Sequence, residues 1–537
     1  MFVNLCLMQR FLLSVSLICF SLLTNAQQSI DVLHYKFELE LSDKTDLIKG
    51  RAFITVKFTN PANRFWINLT SLTKEKTGMN SRKVQENGQQ LTSIHTNDTL
   101  SIVLSKPAKK DEERTFEILY EGIPSDGLII SKTRYGDRTF FADNWPNRAH
   151  NWIPCIDDLT DKASFEFIVT APSHYKVISN GVEIEKKELP DNKKLTHWKE
   201  DISLPTKVMV IGAADFAVKQ YEDSPSNIPV TAWIFSRDST LGFQEYALAP
   251  KILKFFSDYI APYPYKKLAN VQSETVYGGM ENASAIFYSE NSVAPYADNE
   301  ALLAHEIVHQ WFGDMATEKA FAHLWLSEGF ATYLTHVYME SVYGTDKLVK
   351  RLQDDRLNII DLLRSSEKQV VDSLTGYRNL LNANRYERGS WVLHMLRKQL
   401  SDSVFHPIIR SYYETYKGKN ADTKDFQAIA EKISGKNLGY FFKQWLYTAA
   451  IPHLNIGWSY DDAQKILSVT VEQTQNTEPF IFPLDIAIES GAGKSDTQTL
   501  AIDKKKQTFT FQSLKPLKIV ADPLTSLLFE GKVKELK

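Results

Sequence analysis

Cysteine is scarce in this chain, with three in 537 residues: Cys6, Cys19 and Cys155. Two of them fall within the first 26 residues, so a chain trimmed there keeps one thiol and cannot form an internal disulfide. Its stability then has to come from apolar cores, which a chain of this size can bury. Cys155 lies in the apolar stretch Trp152-Ile153-Pro154-Cys155-Ile156 and is expected to be a packed core thiol. Charge of one sign is also lacking. The 62 basic and 65 acidic residues leave a net charge of −3, which argues against a nucleic-acid partner or an electrostatically bound membrane surface. No internal repeat or low-complexity tract interrupts the chain. A hydrophobic share of 43% and a charged share of 24% describe an ordinary globular protein, of about three or four domains at this length.

Long apolar runs are missing as well. The longest, Phe11–Leu23, has thirteen residues and is too short to cross about 30 Å of hydrocarbon. It follows Arg10 and ends at Thr24-Asn25-Ala26, the pattern of a secretory signal peptide spanning residues 1–26. The expectation is an exported protein, periplasmic or extracellular, with no stable membrane insertion after cleavage. Ile18 before Cys19 argues against a lipid-modified cysteine there.

Three regions follow. Residues 27–236 alternate apolar and polar positions in stretches such as HYKFELELS, RAFITVKFT and ASFEFIVTA, which predicts an antiparallel β domain. Residues 237–450 turn helical, as in KILKFFSDYIA and DKLVKRLQDDRLNIIDLLRSS. Beyond Ala449-Ala450-Ile451-Pro452, residues 451–537 return to short strands and predict a small β-sandwich.

The helical region holds His305-Glu306-Ile307-Val308-His309, with Glu328 nineteen residues after His309. Histidines four apart on a helix stand one above the other, separated by about 6 Å of rise, and can reach one metal at about 2 Å. Apolar residues at Leu302, Leu303, Ile307, Val308, Trp311 and Phe312 predict a buried helix over 299–315, capped by Asp298 or Asn299 and stopped near Gly313. A second helix over 324–342 carries Glu328 in its first turns. Glu328 is the third ligand that a catalytic zinc requires beside an open position, and Glu306 is placed to take a proton from metal-activated water. One Zn2+ per chain is expected.

The zinc-site strings HEIVHQWFGD and WLSEGFATY, with the upstream Gly278-Gly279-Met280-Glu281-Asn282, resemble the gluzincin aminopeptidases, the aminopeptidase N and leukotriene-A hydrolase family. Gly279 stands where that family has Ala. Tyr288 and Glu290 match a Tyr and a Glu that follow its exopeptidase motif. Tyr386-Glu387-Arg388-Gly389 is similar to its Tyr-x-Lys-Gly helix start. The resemblance runs from about Ile30 to the end and is weakest over the last ninety or so residues. It implies a saddle-like antiparallel N-terminal β domain, a thermolysin-like zinc catalytic domain, mainly helical, and the small C-terminal β-sandwich, in all a multidomain α+β chain.

The resemblance further implies an aminopeptidase acting on peptides with a free N-terminus. Tyr386 would stabilise the oxyanion. Glu281 would pair with the α-ammonium, and Gly278, Gly279, Met280 and Asn282 would form the strand that binds substrate. The family's substrate-contacting Gln has no counterpart in Phe141-Ala142-Asp143-Asn144-Trp145-Pro146, where Asp143 or Asn144 could stand in. Asp314, Thr332 and Glu290 are candidates to orient the ligating histidines, while His323 and His336 read as helix-face or core residues. Many family members carry a long helical C-terminal domain, which these 537 residues are not expected to include. Two other readings stay open, a zinc endopeptidase of the thermolysin kind and a catalytically silent binding or scaffold homologue.

Overall fold

The computed structural model describes residues 29–536, apart from 223, 296–298, 367 and 491–493. The expected signal peptide and the alternative cap Asp298 lie outside the described residues. The chain divides into two compact units.

The first unit comprises residues up to 128, 147–173 and 183–206. Its main sheet has eight strands in the spatial order 182–189, 193–205, 162–172, 30–40, 48–58, 113–123, 78–86, 89–90. Alternation of buried and half-buried residues along Ile30–Glu40 and Lys162–Pro172 places Tyr35, Phe37, Phe165 and Phe167 in one core. These strands pair parallel to each other, whereas Ile30–Glu40 and Ile48–Phe58 pair antiparallel, so the sheet is mixed and not antiparallel throughout. Cys155 is fully buried here, and burial pushes its thiol well above the usual range, as a packed core thiol requires.

The second unit gathers 129–146, 174–182 and everything from 207 onward. A five-stranded sheet runs in the order 216–221, 230–235, 268–273, 285–289, 279–280. Its central strands are parallel and buried along their length, Leu268–Ser273 completely so. The two-residue strand Gly279–Met280 lies antiparallel at one edge. Helices Glu300–His309, Glu328–Tyr343, Thr345–Ser365 and Glu387–Leu400 follow. The first ends at His309, short of Gly313, and Phe321–Leu326 forms a separate 3₁₀ segment ahead of Glu328. After His453 come two sheets, of four and three strands, within the same unit. Among the described residues no helix is long and apolar enough to cross a membrane.

Candidate active site

The helix Glu300–His309 carries both histidines on one face, and its neighbour begins at Glu328. The Nε2 atoms of His305 and His309 lie 3.1 Å apart, and Glu328 Oε2 is 3.4 Å from the first and 3.3 Å from the second. Ligands around a tetrahedral ion with bonds of about 2.0–2.1 Å stand about 3.3 Å from each other, so this triangle has the dimensions of one face of a zinc site.

The donor chemistry fits as well. His309 Nδ1 lies 3.0 Å from the Phe312 carbonyl oxygen, which can only accept, so Nδ1 carries the proton and Nε2 presents a lone pair. Ser327 Oγ is 3.1 Å from the same nitrogen. Positive charge is demanded at the point where these groups meet. Against burial, the Glu328 carboxylate lifts His309 to about 10. Against its own burial, Glu328 is held far below the usual carboxylate range by the two histidines. A divalent ion satisfies that demand without a proton.

Around this triangle lies a cleft of about 340 Å³ lined by Glu306, Glu281, Tyr386 and the Gly278-Gly279-Met280 segment, with Trp145, Tyr277, Leu302 and Leu381. Glu306 is buried, and burial drives its carboxyl well above the ordinary value. It packs against the edge strand so closely that a Cβ on Gly279 would overlap its carboxyl group. A side chain at position 279 would require the Glu306 carboxyl to shift. Tyr386 immediately precedes the helix Glu387–Leu400, and its ring stacks on His305 with centroids 5.8 Å apart. Burial, and then the Glu328 carboxylate, raise its hydroxyl well above 10, so it stays a protonated donor. Glu281 is 5% exposed, and its Oε1 has no hydrogen-bond partner among the described residues.

Not every residue named from sequence reaches the cleft. Asn282 is fully buried beneath it. Asp143 accepts from the Thr275 hydroxyl and the Val276 N–H, and the Asn144 amide donates to the Met209 carbonyl, so both turn inward. Trp145, next in the chain, reaches the cleft and meets Tyr277 edge-on at 5.6 Å. Glu290 pairs with Arg134, and the Tyr288 hydroxyl donates to Asn270. Asp314 accepts from Gln310, and Thr332 donates to the Glu328 carbonyl. The histidine partners that the structure does supply, a backbone carbonyl and Ser327, carry no sequence signal of their own. Gln310 was also missed. Its amide nitrogen donates to the Glu281 carbonyl at 2.7 Å, and its oxygen accepts from Ser284 N–H at 2.7 Å.

A mixed sheet with a short edge strand, a helix bearing two histidines and a second bearing a glutamate together define a metallopeptidase site. The sequence comparisons name the group. Residues 32–208 match the peptidase M1 N-terminal domain and 244–445 the peptidase family M1 domain, and the chain belongs to that family. It is 24% identical over 530 residues to the alanine/arginine aminopeptidase of Saccharomyces cerevisiae, covering 92% of this chain and 60% of that one. It is 25% identical over 472 residues to the glutamyl aminopeptidase of Rattus norvegicus, covering 81% and 49% respectively. The crystal structure of Legionella pneumophila aminopeptidase A in complex with aspartic acid shares the fold at a TM-score of 0.80 and 18% identity, over 95% of this chain and 60% of that chain. The chain thus spans about half the length of the curated relatives it matches.

Proposed function

We propose that the protein removes the N-terminal residue from peptides, with zinc held by His305, His309 and Glu328. The observation that carries this reading is Glu281, a buried carboxylate with a free oxygen in the same cleft as the metal-binding triangle. A buried carboxylate oxygen without a hydrogen-bond donor is costly, and a substrate α-ammonium would supply that donor. A mid-chain amide offers no such partner, which favours exopeptidase over endopeptidase action.

Zinc bound here supplies a Lewis acid and brings water into the range where it can be deprotonated near neutral pH. Glu306, whose carboxyl sits between the edge strand and the triangle, takes the proton from water and delivers it to the departing amine. The Tyr386 hydroxyl donates to the carbonyl oxygen as charge grows on it. The edge strand Gly279–Met280 offers backbone groups to an extended peptide. Export is part of the proposal, supported by Arg10 and the apolar run Phe11–Leu23.

A set of aminoacyl anilides, with matched N-acetylated forms, tests the reading in the presence and absence of a chelator. Cleavage of free-amine substrates alone, lost on chelation and restored by zinc, is expected. Equal cleavage of acetylated substrates would indicate an endopeptidase, and zinc retention without any turnover a silent homologue.

A further inference from the structure

Gln310 directly follows the metal ligand His309 and caps the helix Glu300–His309. A side-chain amide has two donor and two acceptor positions, and this one uses all four. Its nitrogen donates to the Glu281 carbonyl at 2.7 Å and to Asp314 Oδ2 at 3.1 Å. Its oxygen accepts from the Ser284 N–H at 2.7 Å, and the Tyr263 hydroxyl donates to it at 3.3 Å. Gln310, Ser284 and Asp314 are fully buried, where hydrogen bonds are stronger than in water. An amide engaged at every position has no freedom to rotate.

Two of these partners flank one tight turn. The edge strand Gly279–Met280 leads into Glu281, and the chain then reverses between Asn282 and Ala285, whose N–H donates to the Asn282 carbonyl at 3.0 Å. Ser284 sits in this turn at φ 61°, a left-handed conformation that a serine keeps only where its surroundings impose it. Gln310 clasps the turn from both sides, through the Glu281 carbonyl before it and the Ser284 N–H within it.

We propose that Gln310 is a positioning residue that sets the distance between the amine-binding carboxylate and the metal. The inference rests on the aminopeptidase reading, in which zinc takes the scissile carbonyl and Glu281 the α-ammonium. In an α-amino acid a single carbon separates those two groups. The site can read where a peptide begins only if Glu281 keeps one fixed distance from His305, His309 and Glu328. The Glu281 backbone belongs to a sheet edge and the ligands to helices, and Gln310 ties the first to the residue beside His309. Metal and amine anchor then move as one body. A shift of about 1 Å between such groups costs up to about 100-fold in rate. The consequence is a substrate class: α-aminoacyl peptides are accepted, and β-aminoacyl peptides, with one more methylene between amine and carbonyl, are rejected.

The test compares kcat/KM for α-alanyl and β-alanyl anilides, with zinc content measured alongside. The wild-type enzyme should favour the α-alanyl substrate by about tenfold or more, as a charge-assisted pair in register contributes. Gln310→Met has a similar length but neither donates nor accepts. It should bring the ratio to within about threefold of one, mainly by raising KM for the α-alanyl substrate, with zinc retained. A merely structural role would lower the unfolding temperature and leave the ratio alone. An unchanged ratio in the zinc-loaded variant would overturn the proposal, and so would a wild-type ratio near one. Should the variant fail to fold, hydrogen exchange in the wild-type enzyme decides. The Ser284 amide should exchange no faster than the amides of Glu300–His309, and exchange about 100-fold faster would overturn the tether. Failure of the wild-type enzyme to cleave either anilide would defeat the aminopeptidase reading itself, whereas α-alanyl cleavage with a ratio that Gln310→Met leaves unchanged defeats this inference alone.

Discussion

Gly329 and Gly389 bring two helices into backbone contact: a Cβ on Gly329 would lie 2.9 Å from the Gly389 Cα, and one on Gly389 would lie 3.1 Å from the Gly329 Cα. Gly329 follows the metal ligand Glu328, and Gly389 comes three residues after Tyr386. The close crossing is what sets the tyrosine beside the metal-binding triangle. Gly389→Ala should push the helices apart, costing about 1–3 kcal/mol, as overpacking of a tight core does. Thermal unfolding and kcat should both fall. An unchanged kcat would show that the crossing does not position Tyr386.

Removing the Tyr386 hydroxyl tests its role directly. Tyr386→Phe keeps the ring that stacks on His305 and loses only the donor. The expected result is a fall in kcat of about 100-fold or more with zinc content unchanged. A variant with wild-type kcat would remove Tyr386 from oxyanion stabilisation.

Glu306→Gln keeps the size of the side chain but abolishes its basicity. Turnover should drop by about 100-fold or more while metal analysis still finds one zinc per chain. Near-normal rates would assign the proton transfer to another group.

Glu281→Ala should raise KM for free-amine substrates by about tenfold or more, because an ammonium loses its charged partner. Selectivity for free over acetylated substrates should fall in parallel. Retention of that selectivity would place the amine elsewhere.

Lys207 and Glu318 form a buried pair at 2.8 Å, with exposures of 1% and 0%. Lys207→Met would leave Glu318 uncompensated near Asp314, a change expected to cost about 3–5 kcal/mol. Chemical denaturation would measure it. A loss below about 1 kcal/mol would mean that the pair is stabilised by other groups.

The short-range parts of the site were legible because they follow helix periodicity. His305 and His309 are four apart on one turn-to-turn stripe and Glu328 opens the next long helix, whereas Tyr386, at the start of Glu387–Leu400, was named only through its resemblance to a known motif. The Gly278–Glu281 segment was legible through its resemblance to a known motif, although Asn282, from the same run, lies beneath the cleft. Gln310 was hidden for a different reason. Its partners, Glu281 and Ser284, are brought to it by the sheet, and no spacing along the chain announces a backbone carbonyl as an acceptor.

The amino-acid sequence alone determined the donor types, their helical spacing and the alternation of β and helical regions, because each depends on neighbours within a few residues. Tertiary structure alone decided that Ser327 and the Phe312 carbonyl orient His309 and that Trp145 and not Asp143 reaches the cleft. Those outcomes depend on which surfaces meet when distant segments bury their apolar faces together, and a linear pattern carries no record of that meeting.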